Sequence, residues 1–192
     1  MPRTDNVYEL PDNIPVPLDD GACAHLPGMR LPVVALMSTS GRLVDLSALA
    51  GTHVVYCYPR TGKPDVQPPA GWNEIPGARG CTPQSCAFRD RYQDLRALGA
   101  GVVGISTQTT EDQREAAQRL RLPFELLSDA ELEFARALRL PTFRVESIVC
   151  IKRLTLIIRD GRIETVLYPV FPPDKNAGDV VEWLSRRGER PA

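Results

Sequence analysis

Residues 52–59, THVVYCYP, constrain the fold of this chain more than any other stretch. They are apolar or aromatic almost without interruption and rich in β-branched side chains, so the segment has no polar face to turn toward water. A strand of that kind belongs inside a sheet covered on both sides, the setting of a central parallel strand. Pro59 ends it, because proline has no N–H to offer a neighbouring strand. The rest of the chain must then supply two covering layers.

The flanking sequence has the period to do so. Residues 31–49, LPVVALMSTSGRLVDLSAL, read as two short strands about a Ser-Gly turn, with a brief turn or helix at Ser47 to Ala50. From Arg60 to Arg79 the chain is rich in Pro and Gly and has no period, which predicts a long loop. An amphipathic helix follows Cys81, then a strand GVVGIST, a helix TEDQREAAQRL, a short extended FELLS and a helix DAELEFARALRL. KRLTLIIRD and RIETVLYP are joined at Asp160-Gly161, which signals a hairpin, and DKNAGDVVEWLSRR makes a last helix. The alternation predicts an α/β fold, a central mixed β-sheet flanked by helices on both faces, as in the thioredoxin-like fold. At 192 residues it predicts one domain.

Composition removes several classes of function. A formal net charge of -1 gives no electrostatic reason to expect nucleic acid or a membrane surface as partner. The N-terminal residues lack the apolar core of a signal peptide and no apolar run reaches the length of a membrane span, so a cytoplasmic location is expected. Five irregularly spaced cysteines do not make a secreted disulfide framework, and there is no second close pair for a structural zinc site. No metal or organic cofactor is expected. His25 and His53 both precede Cys81, which argues against a Cys-His protease, and the carboxylates Glu111, Asp112, Glu115, Glu131 and Glu133 read as solvated helix faces.

The chemistry concentrates in GCTPQSCAFRD, residues 80–90. Thr82 is a good N-cap and Pro83 suits the first helical position, which places Cys81 at the mouth of a helix. The unpaired amides and positive dipole end there favour the thiolate, the nucleophilic form of cysteine. Two geometries stay open for Cys86. With Thr82 as cap, the two cysteines occupy positions whose side chains often touch, and a disulfide needs little movement. If the helix starts earlier, five residues separate them by about 7.5 Å along the axis and about 140° around it, and bonding requires the first turns to unwind.

The strand VVYCYP, the segment GCTPQSCAFRDRYQDLRALGAGVVGIST, the stretch LPFELLSDAELEFARAL and the hairpin KRLTLIIRDGRI together resemble the peroxiredoxins, most nearly their bacterioferritin-comigratory, or Q, branch. The resemblance spans roughly residues 31 to 187, leaving 1–30 as an N-terminal extension. It implies a thioredoxin-dependent peroxidase, monomer or homodimer, that reduces hydrogen peroxide and organic hydroperoxides. By the same resemblance Cys81 is the peroxidatic cysteine, Cys86 the resolving cysteine, and Arg153 the arginine that stabilises the thiolate and polarises the peroxide. The alternative is a thioredoxin-fold redox sensor or partner-binding protein with little turnover.

The family's active-site loop carries a Pro seven residues and a Thr or Ser three residues before the peroxidatic cysteine. Here those positions are Glu74 and Ala78, so residues 60–79 read as an insertion, with Thr61 or Thr82 left to supply the missing hydroxyl. Cys57 and Cys150 are expected in the core, and Cys23 as a surface thiol or an alternative resolving partner. An ordinary role for Arg153 would be an ion pair with Glu146 or Glu164.

Overall fold

A computed structural model describes residues 5–188. They form, in chain order, β1 (Ala35–Ser38), β2 (Leu43–Asp45), β3 (Thr52–Cys57), α1 (Cys81–Asp90), α2 (Tyr92–Ala97), β4 (Ala100–Ser106), α3 (Thr110–Leu120), β5 (Leu126–Ser128), α4 (Glu133–Ala137), β6 (Thr142–Val145), β7 (Ile148–Ile151), β8 (Leu154–Arg159), β9 (Arg162–Leu167) and α5 (Asn176–Gly188). Seven strands make one sheet in the order β2-β1-β5-β4-β3-β8-β9, and β6 pairs with β7 apart from it.

β3 is central, as its composition requires, but only half parallel: it runs parallel to β4 and antiparallel to β8. Its side chains alternate between two cores. Val54 and Tyr56, with Tyr58 just past the strand's end, face a layer built from Phe88 of α1, Leu95 of α2 and Val180 and Leu184 of α5. Val55 and Cys57 face the other side, where Phe134 and Ala135 of α4 pack with Cys23 and Leu26 of the N-terminal segment. That second layer is thus partly irregular chain rather than helix. Each fully buried large side chain is worth about 1.5–3 kcal/mol, so β3 and its partners carry much of the stability. Among the described residues no helix is long and apolar enough to cross a membrane.

Several sequence expectations are corrected here. Cys23 is buried rather than a surface thiol, and burial pushes its thiol up to about 12. Cys57 and Cys150 are buried as expected. The helix foreseen over residues 129–140 shrinks to α4, because Leu132 sits in the left-handed region at φ 59 and the Asp129 carboxylate accepts the amides of Phe134 and Ala135. The helix after Cys81 breaks at Arg91 into α1 and α2. The β6–β7 hairpin is new. It turns on Glu146 and Ser147, with Glu146 at φ 50, a turn without the Gly or Asn that normally announces one.

Candidate active site

The helix begins one residue before the expected cap. Gly80, at φ 98, is the N-cap of α1, and Cys81 is its first residue. A side chain is excluded at this cap: a Cβ there would collide with Pro173 and lie 2.6 Å from Leu10 Cδ2. Thr82 is buried inside the first turn and does not cap it. Cys81 and Cys86 therefore share one intact helix, the geometry in which a disulfide requires unwinding.

The sulfur of Cys81 has three polar neighbours. Arg153 Nη2 donates to it at 3.2 Å, the amide of Arg60 donates at 3.3 Å, and the thiol lies 3.6 Å from the carbonyl oxygen of Ala78. Arg153 does not pair with Glu146 or Glu164, and among the described residues no carboxylate is bridged to it. The Glu146 carboxylate instead accepts the amide of Ala70, and Glu164 pairs with Arg159 and Arg187. Buried at 3 % exposure, the Arg153 guanidinium also donates to the carbonyls of Gly77, Ala78 and Arg79 and to Gln84 Oε1. Beside these neutral oxygens, the group that the buried guanidinium faces is the sulfur of Cys81.

Gln84 is oriented in turn. Its amide nitrogen donates to Asn176 Oδ1 at 2.9 Å, an oxygen that also accepts from Thr155 Oγ1 at 2.7 Å, so the Gln84 oxygen is left for Arg153. A chain of side chains thereby ties α1 to β8 and α5. Sequence reasoning missed Gln84; its signal was a polar residue on the inward side of a helix whose neighbours are buried.

A cavity of about 370 Å³ opens over Cys81. Thr61 and Thr82 both line it. Thr61 is tied to Gln108, which accepts both its amide and its hydroxyl and returns an N–H to its carbonyl. Asp112, expected to be merely solvated, pairs there with Lys63 at 2.7 Å and Arg60 at 3.7 Å. Neither histidine lines it. On the flank of α1 away from the sulfur, Cys86 is half-buried, and burial pushes its thiol up against the opposing charge of Arg89.

A family model described as Redoxin matches residues 26–181. Peroxiredoxin Q of Sedum lineare is 31% identical over 159 residues, covering 82% of this chain and 76% of that protein. The chain is a peroxiredoxin of the Q type. Putative peroxiredoxin bcp of Coxiella burnetii is 28% identical over 163 residues, covering 83% of this chain and 96% of that protein. Against a chloroplastic peroxiredoxin Q of Oryza sativa the peroxiredoxin spans 65% of the relative's length. Among solved structures, peroxidoxin BcpB of Mycobacterium tuberculosis superposes with a TM-score of 0.69 at 26% identity, covering 87% of this chain and all of that one. A peroxiredoxin Q of Xylella fastidiosa shares the fold, with a TM-score of 0.66 at 20% identity over 92% of this chain and 98% of its own. The peroxiredoxin is thus a thiol-dependent peroxidase of thioredoxin-like fold.

Proposed function

We propose that Cys81 is the peroxidatic cysteine, Cys86 the resolving cysteine and Arg153 the group that activates both sulfur and substrate. The observation that carries this reading is the contact of a buried, charged guanidinium and a backbone amide with one sulfur at the floor of an open cavity. The Cys81 thiolate attacks the distal oxygen of a hydroperoxide; the S–O bond forms, the O–O bond breaks, and the departing alkoxide or hydroxide takes a proton. Arg153 meets the charge moving from sulfur to oxygen without reorganising. The Cys86 thiol then condenses with the sulfenic acid, releasing water and leaving a disulfide, which an external dithiol such as thioredoxin reduces by exchange. The cysteine chemistry fits a reducing compartment such as the cytoplasm.

Thr61 supplies the family's missing hydroxyl. Its proton is committed to Gln108, so the oxygen is left to accept the O–H of the attacked peroxide oxygen. The Arg60 amide on the sulfur places Thr61 next in sequence to the reacting atom. Thr61→Val, equal in shape, should lower the single-turnover oxidation rate about a hundredfold; a change under threefold would remove the hydroxyl from the chemistry.

The decisive experiment treats the reduced protein with one equivalent of hydrogen peroxide and maps its cysteines by mass spectrometry. A Cys81–Cys86 disulfide is expected, absent in Cys81→Ser. In Cys86→Ser, excess peroxide should carry Cys81 on to sulfinic acid. A Cys81 that stays reduced while other thiols oxidise would defeat the assignment.

One observation favours the sensor as a second reading. Both cysteines lie on a helix held by the Gln84 network and by a Ser85 hydroxyl that accepts from Tyr56, so the unwinding that a disulfide needs works against those bonds. Sensor behaviour would appear as a sulfenic acid that forms quickly and resolves over minutes.

A further inference from the structure

The cavity over Cys81 has two unlike sides. One carries Arg60, Lys63 and Asp112, whose charges are mutually paired. The other comes largely from the insertion and is mainly apolar, with Val66, Pro68, Pro69 and Trp72 and with Ile148 of β7 beside them, interrupted by Gln67 and Glu146. This wall is fixed in place. Trp72 is buried, clusters with Ala78, Val145 and Cys150, and sets its ring 5.9 Å from that of Phe143. The amide of Ala70 donates to Glu146 at 3.0 Å. The insertion therefore rests on the β6–β7 hairpin, and Val66, 54 % exposed, is held at the cavity mouth with little of its surface used by the fold.

Hydrogen peroxide is little larger than a water molecule of about 30 Å³. In the cavity it reaches the sulfur and Thr61 and touches little of such a wall. We infer that residues 66–72 are a specificity-determining wall, which selects hydroperoxides bearing an uncharged apolar group of roughly the bulk of a substituted benzene ring. The inference rests on the peroxidase reading above and concerns the part of the substrate that does not react. Binding energy from that remote group is realised at the cavity wall while the O–O bond is held at Cys81, and it appears in the rate. An anionic tail is not selected: Arg60 and Lys63 share Asp112, Arg79 pairs with Asp5, and the Glu146 carboxylate also lines the cavity, so the cations there are matched in number by carboxylates.

The test uses the reduced full-length chain without any reductant. Single-turnover oxidation of Cys81 is followed by tryptophan fluorescence and quench mass spectrometry with hydrogen peroxide, tert-butyl hydroperoxide and cumene hydroperoxide. Cumene hydroperoxide should react at least tenfold faster than hydrogen peroxide. The ratio of the two rate constants should fall about tenfold in Val66→Asn and again in Val66→Asn/Pro68→Ser, and stay high in Val66→Leu. A wild-type ratio near one, or a ratio that neither polar variant moves, overturns the wall's role while fast oxidation by hydrogen peroxide leaves the peroxidase reading intact. Failure of all three hydroperoxides to oxidise Cys81 would instead sink that reading and the wall together.

Discussion

Replacing Arg153 with methionine should slow oxidation of Cys81 by hydroperoxide about a thousandfold. A single charged donor aimed at developing charge in a water-poor site is worth about two to three orders of magnitude. Arg153 does more than donate once: with Nη2 it touches the sulfur and the carbonyls of residues 77–79, and with Nη1 it meets Gln84. The guanidinium fork makes these contacts at the same time, which a lysine ammonium on a flexible stem does not. Arg153→Lys should accordingly recover no more than about tenfold of the loss. Methionine preserves apolar bulk but leaves the carbonyls of residues 77–79 and Gln84 Oε1 without their donor, at about 1–3 kcal/mol for each acceptor left unsatisfied, so the thermal midpoint should fall too and the rates are compared well below it. Stopped-flow single turnovers of the three proteins decide the matter; an Arg153→Met rate within threefold of wild type would remove the arginine from the reaction.

Gly80→Ala should be the most damaging single change to the scaffold of the site, lowering stability by about 3 kcal/mol. Two costs combine. A residue with a Cβ at φ 98 meets the left-handed penalty of about 1–2 kcal/mol. The added methyl also enters space held by Pro173 and Leu10, and overpacking of that sort costs about 1–3 kcal/mol. Relief must come from moving the N-terminal segment, the turn before α5, or the start of α1. The last displaces Cys81 from Arg153, so reactivity should drop with stability. Urea unfolding of reduced protein measures the first effect and the rate of Cys81 oxidation the second. An alanine variant with the wild-type midpoint would show that the cap is looser than its contacts imply.

Elements with strong internal signals were legible in the sequence. The continuous apolar run of β3, the Asp160-Gly161 hairpin and the amphipathic period of α3 all sit where local pattern put them. What escaped reading depended on partners far along the chain. The β6–β7 hairpin turns on a glutamate at positive φ, and β7 is separated from β8 only by Lys152 and Arg153, so the stretch had no visible boundary. The cap of α1 was misread because Thr82 is the better cap by type, whereas the deciding term is the space Pro173 and Leu10 take beside Gly80. Cys81, Cys86 and Arg153 were singled out by one motif and one strand that resemble the family's. Gln84, Gln108 and the Arg60 amide were not, since each matters through a contact that only the folded loop creates.

The insertion begins and ends at the same atom. Arg60 reaches the sulfur of Cys81 through its amide and Ala78 through its carbonyl oxygen, although the chain between them runs through the whole wall. Closing a flexible loop costs only about 0.6 kcal/mol more for each doubling of its length. A segment moored at both ends to one point can therefore be lengthened, shortened or rewritten while the mooring stays where it is. Reaction and selection are in this way decoupled along the chain, and substrate range can drift in such a scaffold without the nucleophile having to be rebuilt.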